Sequence, residues 1–356
     1  MANDFVKMIK EETKMRIHIK TMICILLAAL VLFGTVTIGF ADMTINDSMT
    51  LGDGKAKLDQ YLTQTDRLLQ SYSDYYEFAL EQLLNGGDSF LKSRSDYPVI
   101  EEFMVQYKLA YEDYLYLLDL VDCANQTEVV NQIIGESDCV SIDSYDNSIK
   151  FELTDNFLNR TLGEIRSDNE KGLFSKSTSE TVKYSYSGTN AANYATTYAL
   201  FYNSANYPTY AEDCANFVSQ CLKAGGIPTN GTNSTTGIYN STTKWYCVCT
   251  YEPPVGHGRQ YAVTTSWIRV PDFNTYMTGI AYSKTAKYSA TALYNSCQKG
   301  DAVLLVSSNG SPYHAVIISK RDSSTAYYCG HTNNRKNEPI STLFSSASYV
   351  LLFDFT

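Results

Sequence analysis

Histidine is scarce in this chain. Only His18, His257, His314 and His331 occur in 356 residues, so chemistry that needs an imidazole has few places to reside. Basic clusters are missing as well. Lys and Arg number 28 against 38 Asp and Glu, a formal net charge of −10. A nucleic-acid partner is excluded, because a phosphate backbone needs grouped cations. No internal repeat is evident. The nine cysteines are too sparse for a disulfide-built mini-domain, since Cys24 sits in the leading segment and the rest are scattered. If one of the remaining eight must stay a thiol, seven are left, and an odd number cannot all pair internally.

The long apolar run Thr21 to Phe40 follows Lys14, Arg16 and Lys20 and closes on Gly39 and Ala41. Residues 1–41 therefore read as a secretion signal cut before Asp42, or as an uncleaved anchor through residues 21–40. Either way the remainder is expected to be secreted or extracytoplasmic, touching a membrane only through that segment. Residues 42–356 then carry 23 Lys+Arg against 35 Asp+Glu, enough chain for about two domains.

Apolar residues from Leu58 to Leu83 fall at steps of three and four and predict one long amphipathic helix, stopped by Asn85-Gly86-Gly87. A second such pattern runs from Ile100 to Val121, and the two should pack as a helical hairpin. Helix packing accounts for the many tyrosines on these faces. Alternation at Val140, Ile142, Ile149, Phe151 and Leu153 predicts a β-hairpin. The polar stretch Ser175 to Asn190 then divides a helical module with a short hairpin, 42–180, from a second domain, 181–356. In that domain a helix over Ala191–Tyr202 precedes strands at Gly300–Val306, His314–Ser319, Thr325–His331 and Ser348–Phe355, an α+β order. Residues 229–298, rich in Thr, Tyr and Asn, read as a lid or specificity loop.

In "YAEDCANFVSQCLKAGG", Asp213 has the chemistry of an N-cap, a helix begins at Cys214, and Gly225, Gly226 and Pro228 end it. Cys214, Phe217, Val218 and Cys221 share one face of that helix. A thiol in the first turn feels the positive end of the helix dipole and unpaired N–H groups, which favour the reactive thiolate. A nucleophilic cysteine also needs an imidazole to take its proton and a third group to orient that imidazole. If the strands carrying His314 and His331 pair through a two-residue turn at Asp322-Ser323, positions summing to 645 lie opposite, which places His331 beside His314. Asn333 is the alternative third residue. The backbone N–H of Cys214 would be one oxyanion donor, and Tyr207 or Tyr210 the other. Asp301 reads as the start of a strand that closes a turn. Cys247, Cys249 and His257 could supply three zinc ligands, but Cys-x-Cys is not the usual zinc spacing and no fourth ligand is evident. Neither metal nor cofactor is expected.

The segment "NSANYPTYAEDCANFVSQCLKAGG" (203–226) resembles the putative amidase domain family, a branch of the papain-like cysteine hydrolases. The resemblance spans roughly residues 185–356. It is supported by Trp245-Tyr246, Ser266-Trp267, Gly300-Asp301, "HAVI" from His314 and "HTNN" from His331. It implies a catalytic helix packed on an antiparallel sheet, with Cys214 as nucleophile, His314 as base, and Trp245 and Trp267 near the substrate. Ala215 stands where many relatives have threonine. Similar folds of the CHAP and NlpC types cut cell-wall peptides, so a peptide or peptidoglycan-like substrate is expected by analogy. The rival from another class is a catalytically inactive surface-binding module that uses the Tyr-rich helices.

Overall fold

The computed structural model describes residues 46–65, 72, 74–121, 134, 138–143, 148–174, 185–252 and 258–356. The leading segment 1–41 and most of the polar stretch at 175–190 lie outside them. Among the described residues no helix is long and apolar enough to cross a membrane.

Polar caps decide where the first helices begin and end. Helix α1 (Leu51–Gln64) opens on Thr50, whose hydroxyl accepts from the Asp53 N–H at 3.1 Å while the Asp53 carboxylate accepts from the Thr50 N–H at 2.8 Å. The single long helix expected from Leu58 is in fact two. Thr65 caps α1, and Asp74, accepting from the Glu77 N–H at 2.9 Å, starts α2 (Tyr75–Leu84). The second pattern forms α3 (Tyr97–Val121), and the expected hairpin forms from β1 (Val140–Ile142) and β2 (Ile149–Phe151), paired antiparallel. Helix α4 (Leu162–Phe174) follows. The tyrosines of α2 and α3 spend their rings on packing: Tyr76 stacks on Tyr111 at 4.3 Å, and Phe151 meets Tyr107 and Tyr111 edge-on.

The architecture is α+β. After α5 (Gly188–Tyr198) and α6 (Cys214–Ala224) come β3 (Gly237–Tyr239), β4 (Cys247–Tyr251), β5 (Gln260–Thr264), α7 (Val270–Ile280) and β6 (Ser283–Lys287). Strands β7 (Ala302–Val306), β8 (Pro312–Arg321), β9 (Ala326–Gly330), β10 (Arg335–Pro339) and β11 (Tyr349–Asp354) complete the chain. An antiparallel sheet orders them β10-β9-β8-β7-β11-β6. The stretch read as a lid instead builds a small sheet, β3-β5-β4, then α7 and the edge strand β6. Its strands are only three to five residues long and one pairing is parallel, so no long alternation marks them.

Both faces of the large sheet are covered, which is why its strands read as continuous apolar runs. Leu304, Ala315, Ile317, Cys329 and Phe353 pack with α6 and α7 in one cluster. Val303, Leu305, Val316, Ile318, Val350 and Leu352 pack with Leu58, Leu83, Ile100 and Phe103 of the first half in the other. Burying a large aliphatic side chain contributes about 1.5–3 kcal/mol, so helices from outside the resemblance cover one face of this sheet and stabilise it. Polar contacts reinforce the seam. Glu102 accepts from Ser307 and Ser311 at 2.7 and 2.6 Å, and Glu101 from the Ser308 N–H at 2.9 Å. Residues Ile45–Thr356 thus form one compact unit.

Where α5 begins, Gly188 lies against Gly300, which has φ +93°, and a Cβ on either would collide with backbone of the other segment. This close approach sets the turn before β7. Asp301 closes that turn by accepting from the Gln298 N–H at 2.6 Å, but its other oxygen is buried without a hydrogen-bond partner. Burial pushes its carboxyl up to about 7. Folding therefore favours the protonated acid. That contribution is fully present below the unfolded value near 4 and is lost as pH rises through about 7. Asp301→Asn should remove the dependence. Urea unfolding from pH 4 to pH 8 should show wild type losing about 2–4 kcal/mol relative to the variant. Parallel pH profiles would contradict the assignment.

Candidate active site

Helix α6 places Cys214 at its first position and is buried from Cys214 to Leu222, so its polar residues face partners rather than water. Asn216 donates to the Asp213 carboxylate at 2.8 Å and to the Pro208 carbonyl at 3.0 Å, and accepts from the Trp267 indole at 2.9 Å. Ser219 accepts from the Trp245 indole at 3.1 Å. Both indoles are fully buried. Trp245 and Trp267, expected near the substrate, act here as struts behind the helix, placed there because a buried indole N–H must find an acceptor.

The backbone N–H of Ala315, the residue after His314, lies near enough to the Cys214 sulfur to favour its thiolate. The thiol is 2% exposed and His314 6%. Burial pushes the thiol up; the Lys108 ammonium opposes that and the Glu212 carboxylate adds to it. Burial, assisted by the cations Lys108 and Arg335, lowers the His314 imidazole to about 3. Both groups are therefore neutral in this closed arrangement. Among the described residues nothing bonds to the buried Nδ1 of His314.

His331 does not orient His314. Its Nδ1 is hydrogen-bonded to the Asp213 carboxyl at 2.6 Å, its Nε2 donates to the Tyr198 carbonyl at 2.8 Å, and its ring stacks on Phe217 at 4.0 Å. The cause is register. The turn is centred on Ser323-Ser324, with Asp322 accepting from the N–H groups of Ser324 and Thr325. Beyond it the strands pair Arg321 with Ala326, but an irregularity between Ile318 and Lys320 shifts the pairing to Ile317 with Cys329. One extra residue turns every later side chain to the opposite face. His331 then follows Cys329 on the α6 side, and His314 follows Val316 toward the first-half helices. The alternative third residue is elsewhere too: Asn333 is bonded to Asn85 at the end of α2.

Asp213, expected as an N-cap, makes no side-chain cap bond. Its carboxylate holds His331, Asn216 and the Tyr210 N–H, while its own N–H donates to Thr332 at 3.2 Å. Thr332 adopts the left-handed φ of 72° to reach it. The "HTNN" segment thus fixes the start of α6 from the side.

Of the tyrosine candidates, Tyr210 packs edge-on against Tyr116 at 5.2 Å, and Tyr207 stacks over Trp267 with the Lys223 ammonium 5.4 Å above its ring. Both line a cleft of about 410 Å³ that Arg259 and Tyr261 also line. Among the described residues no group of three or more His, Cys, Asp or Glu is placed to hold a metal. Cys247 and Cys249 lie on β4, His257 is outside the described residues, and Cys221, Cys247, Cys249, Cys297 and Cys329 are free thiols like Cys214.

A buried thiol at a helix start beside a histidine strand lies inside the stretch that the family comparison identifies. Residues 185–352 match the family described as Putative amidase domain. The amidase region takes in α5, α6 and nearly all of the large sheet, and amide hydrolysis is the activity that the match suggests. An uncharacterized protein of Bacillus subtilis (strain 168), YjcM, is 25% identical over 222 residues, covering 55% of this chain. The chain spans 46% of the length of that relative. No solved structure matches.

Side chains from outside the amidase region also reach the site. Tyr76 donates to Glu212, Lys108 pairs with Glu112 and lies 3.7 Å from Glu212, and Tyr116 donates to the Glu212 carbonyl at 2.9 Å. These contacts bridge from 96 to 136 residues wherever they join Glu212 to Tyr76 or Tyr116. The one sequence signal was Lys108 itself, four residues after Met104 on the apolar stripe of α3, although its spacing to Glu112 also fits an ordinary helix ion pair.

Proposed function

We propose that this chain is an exported, papain-like cysteine hydrolase that cleaves amide bonds, with cell-wall peptides as its substrate class. The supporting observation is the position of the Cys214 sulfur, at the first residue of α6 and against the amide that follows His314. As the sulfur attacks the carbonyl carbon, its proton passes to His314, which shares Lys108 with the thiol as a charged neighbour. The tetrahedral oxyanion is met by the Cys214 N–H at the helix start. Collapse breaks the C–N bond, and the imidazolium gives its proton to the departing amine. Water, activated by the same imidazole, then hydrolyses the thioester and releases the acid. His314 starts neutral, which is the form a base requires, and acts as one half of a dyad.

The cleft bordered by Tyr207, Tyr210 and Arg259 is the approach for the acyl side, since Tyr210 leads directly into Glu212-Asp213-Cys214. The cell-wall assignment rests on analogy with the CHAP and NlpC types. Incubating the mature protein with purified cell wall and identifying released fragments by mass spectrometry tests it. New peptide amines and carboxylates, absent with Cys214→Ser, are expected. Intact wall with hydrolysis of other amides would reject the substrate class, and no amide cleaved at all would reject the activity.

A further inference from the structure

Lys108 is fully buried on α3, beside the buried apolar residues Met104, Val105 and Tyr107. Taking an ammonium out of water costs several kcal/mol, and a buried ion pair rarely stabilises a fold more than apolar packing does. A side chain needed only to fill this place would be leucine or methionine. Two carboxylates surround the cation, Glu112 one turn along α3 and Glu212 two residues before the proposed nucleophile. Without Lys108, two buried acids would stand beside a sulfur that has to become an anion.

We propose that Lys108 is a positioning residue of the Cys214 site: from a helix outside the amidase region it supplies the counter-charge that offsets Glu212 and lets negative charge develop on the sulfur. This rests on the reading of Cys214 as nucleophile. The groups around the sulfur are Lys108 and Tyr116 from α3, Tyr76 from α2, and Glu212 and Asp213 from its own approach; Glu112 pairs with Lys108, His331 lies behind Asp213, and His314 of β8 shares Lys108 as a charged neighbour. Lys108 lowers the thiol and Glu212 raises it, so the two charges pull in opposite directions on one atom. The site is consequently assembled from both halves of the chain.

The test is alkylation of Cys214 by iodoacetamide between pH 6 and pH 10 in the full-length protein, with the rate at that position read by peptide-mapping mass spectrometry. In the reaction the sulfur displaces iodide, so the rate follows the thiolate fraction. Lys108→Met should slow labelling at pH 7 about tenfold, the change for one pKa unit, and approach wild type at high pH. Glu212→Gln should accelerate it. The Lys108→Met/Glu212→Gln double variant should return close to wild type, and Lys108→Arg should retain most of the rate; a purely structural role predicts neither. If Lys108→Met does not fold, Glu212→Gln decides alone: faster labelling supports the proposal and an unchanged profile overturns it. Wild-type labelling with profiles unmoved in all variants would reject Lys108 while leaving Cys214 as nucleophile. A Cys214 inert at every pH in the folded wild type would reject both readings.

Discussion

Cys214→Ser should lose amide hydrolysis by a factor on the order of ten thousand or more, and His314→Ala by a comparable factor, because a nucleophile and its base act as one unit and removing either removes most of the pair's effect. The serine keeps the shape and the helix start but not the nucleophilicity, since a hydroxyl ionises far less readily than a thiol. At 2% exposure the site tolerates the exchange at a cost of about 1 kcal/mol. The measurement is initial rate on the fragment-releasing assay, paired with a urea midpoint to show the variant folded. Retained turnover in folded Cys214→Ser would falsify the nucleophile. Loss in Cys214→Ser with full activity in His314→Ala would move the base to another residue.

His331→Ala should be among the most destabilising single changes in the amidase region, at about 3–5 kcal/mol, because it leaves the buried Asp213 carboxylate without its imidazole. Burial already holds that carboxyl above its usual range, with the His331 and Asn216 hydrogen bonds pulling it back. Loss of the imidazole also frees the Tyr198 carbonyl and the face of Phe217. Asn333→Ala should cost less than about 1 kcal/mol, since its contact with Asn85 is exposed. Adding Asp213→Asn to His331→Ala should recover part of the loss by removing the unpaired charge, and the coupling in that double-mutant cycle measures the pair. Equal, small effects of His331→Ala and Asn333→Ala on the urea midpoint would contradict the buried-pair role.

The two aspartates make the same physical point with different outcomes. Asp213 finds a histidine, an asparagine and a backbone amide, whereas Asp301 finds one backbone amide and an unpartnered oxygen. Both were visible in the sequence as residues before a helix or strand. Only their surroundings separate an acid that anchors a helix from one whose ionisation opposes folding.

Local spacing was sufficient for the helix starting at Cys214, for the strands at 302–306, 312–321, 326–330 and 349–354, and for the small hairpin, because each depends on side-chain period and end chemistry within a few residues. The same local information marked Cys214 and His314 as nucleophile and base candidates, and both lie inside the stretch 185–352 that matches the family described as Putative amidase domain. Register was not available from it. The irregularity between Ile318 and Lys320 depends on how β8 meets its neighbours, and that one residue decides that His331 serves Asp213 instead of His314. Nor was the partner of the sheet's second face available: the helices that cover it, and that bring Lys108 to Glu212, come from a stretch with no family signal. Periodicity specifies which faces are apolar, but which faces meet, and which buried charges they bring together, is decided when distant segments pack and each buried group has to find a partner.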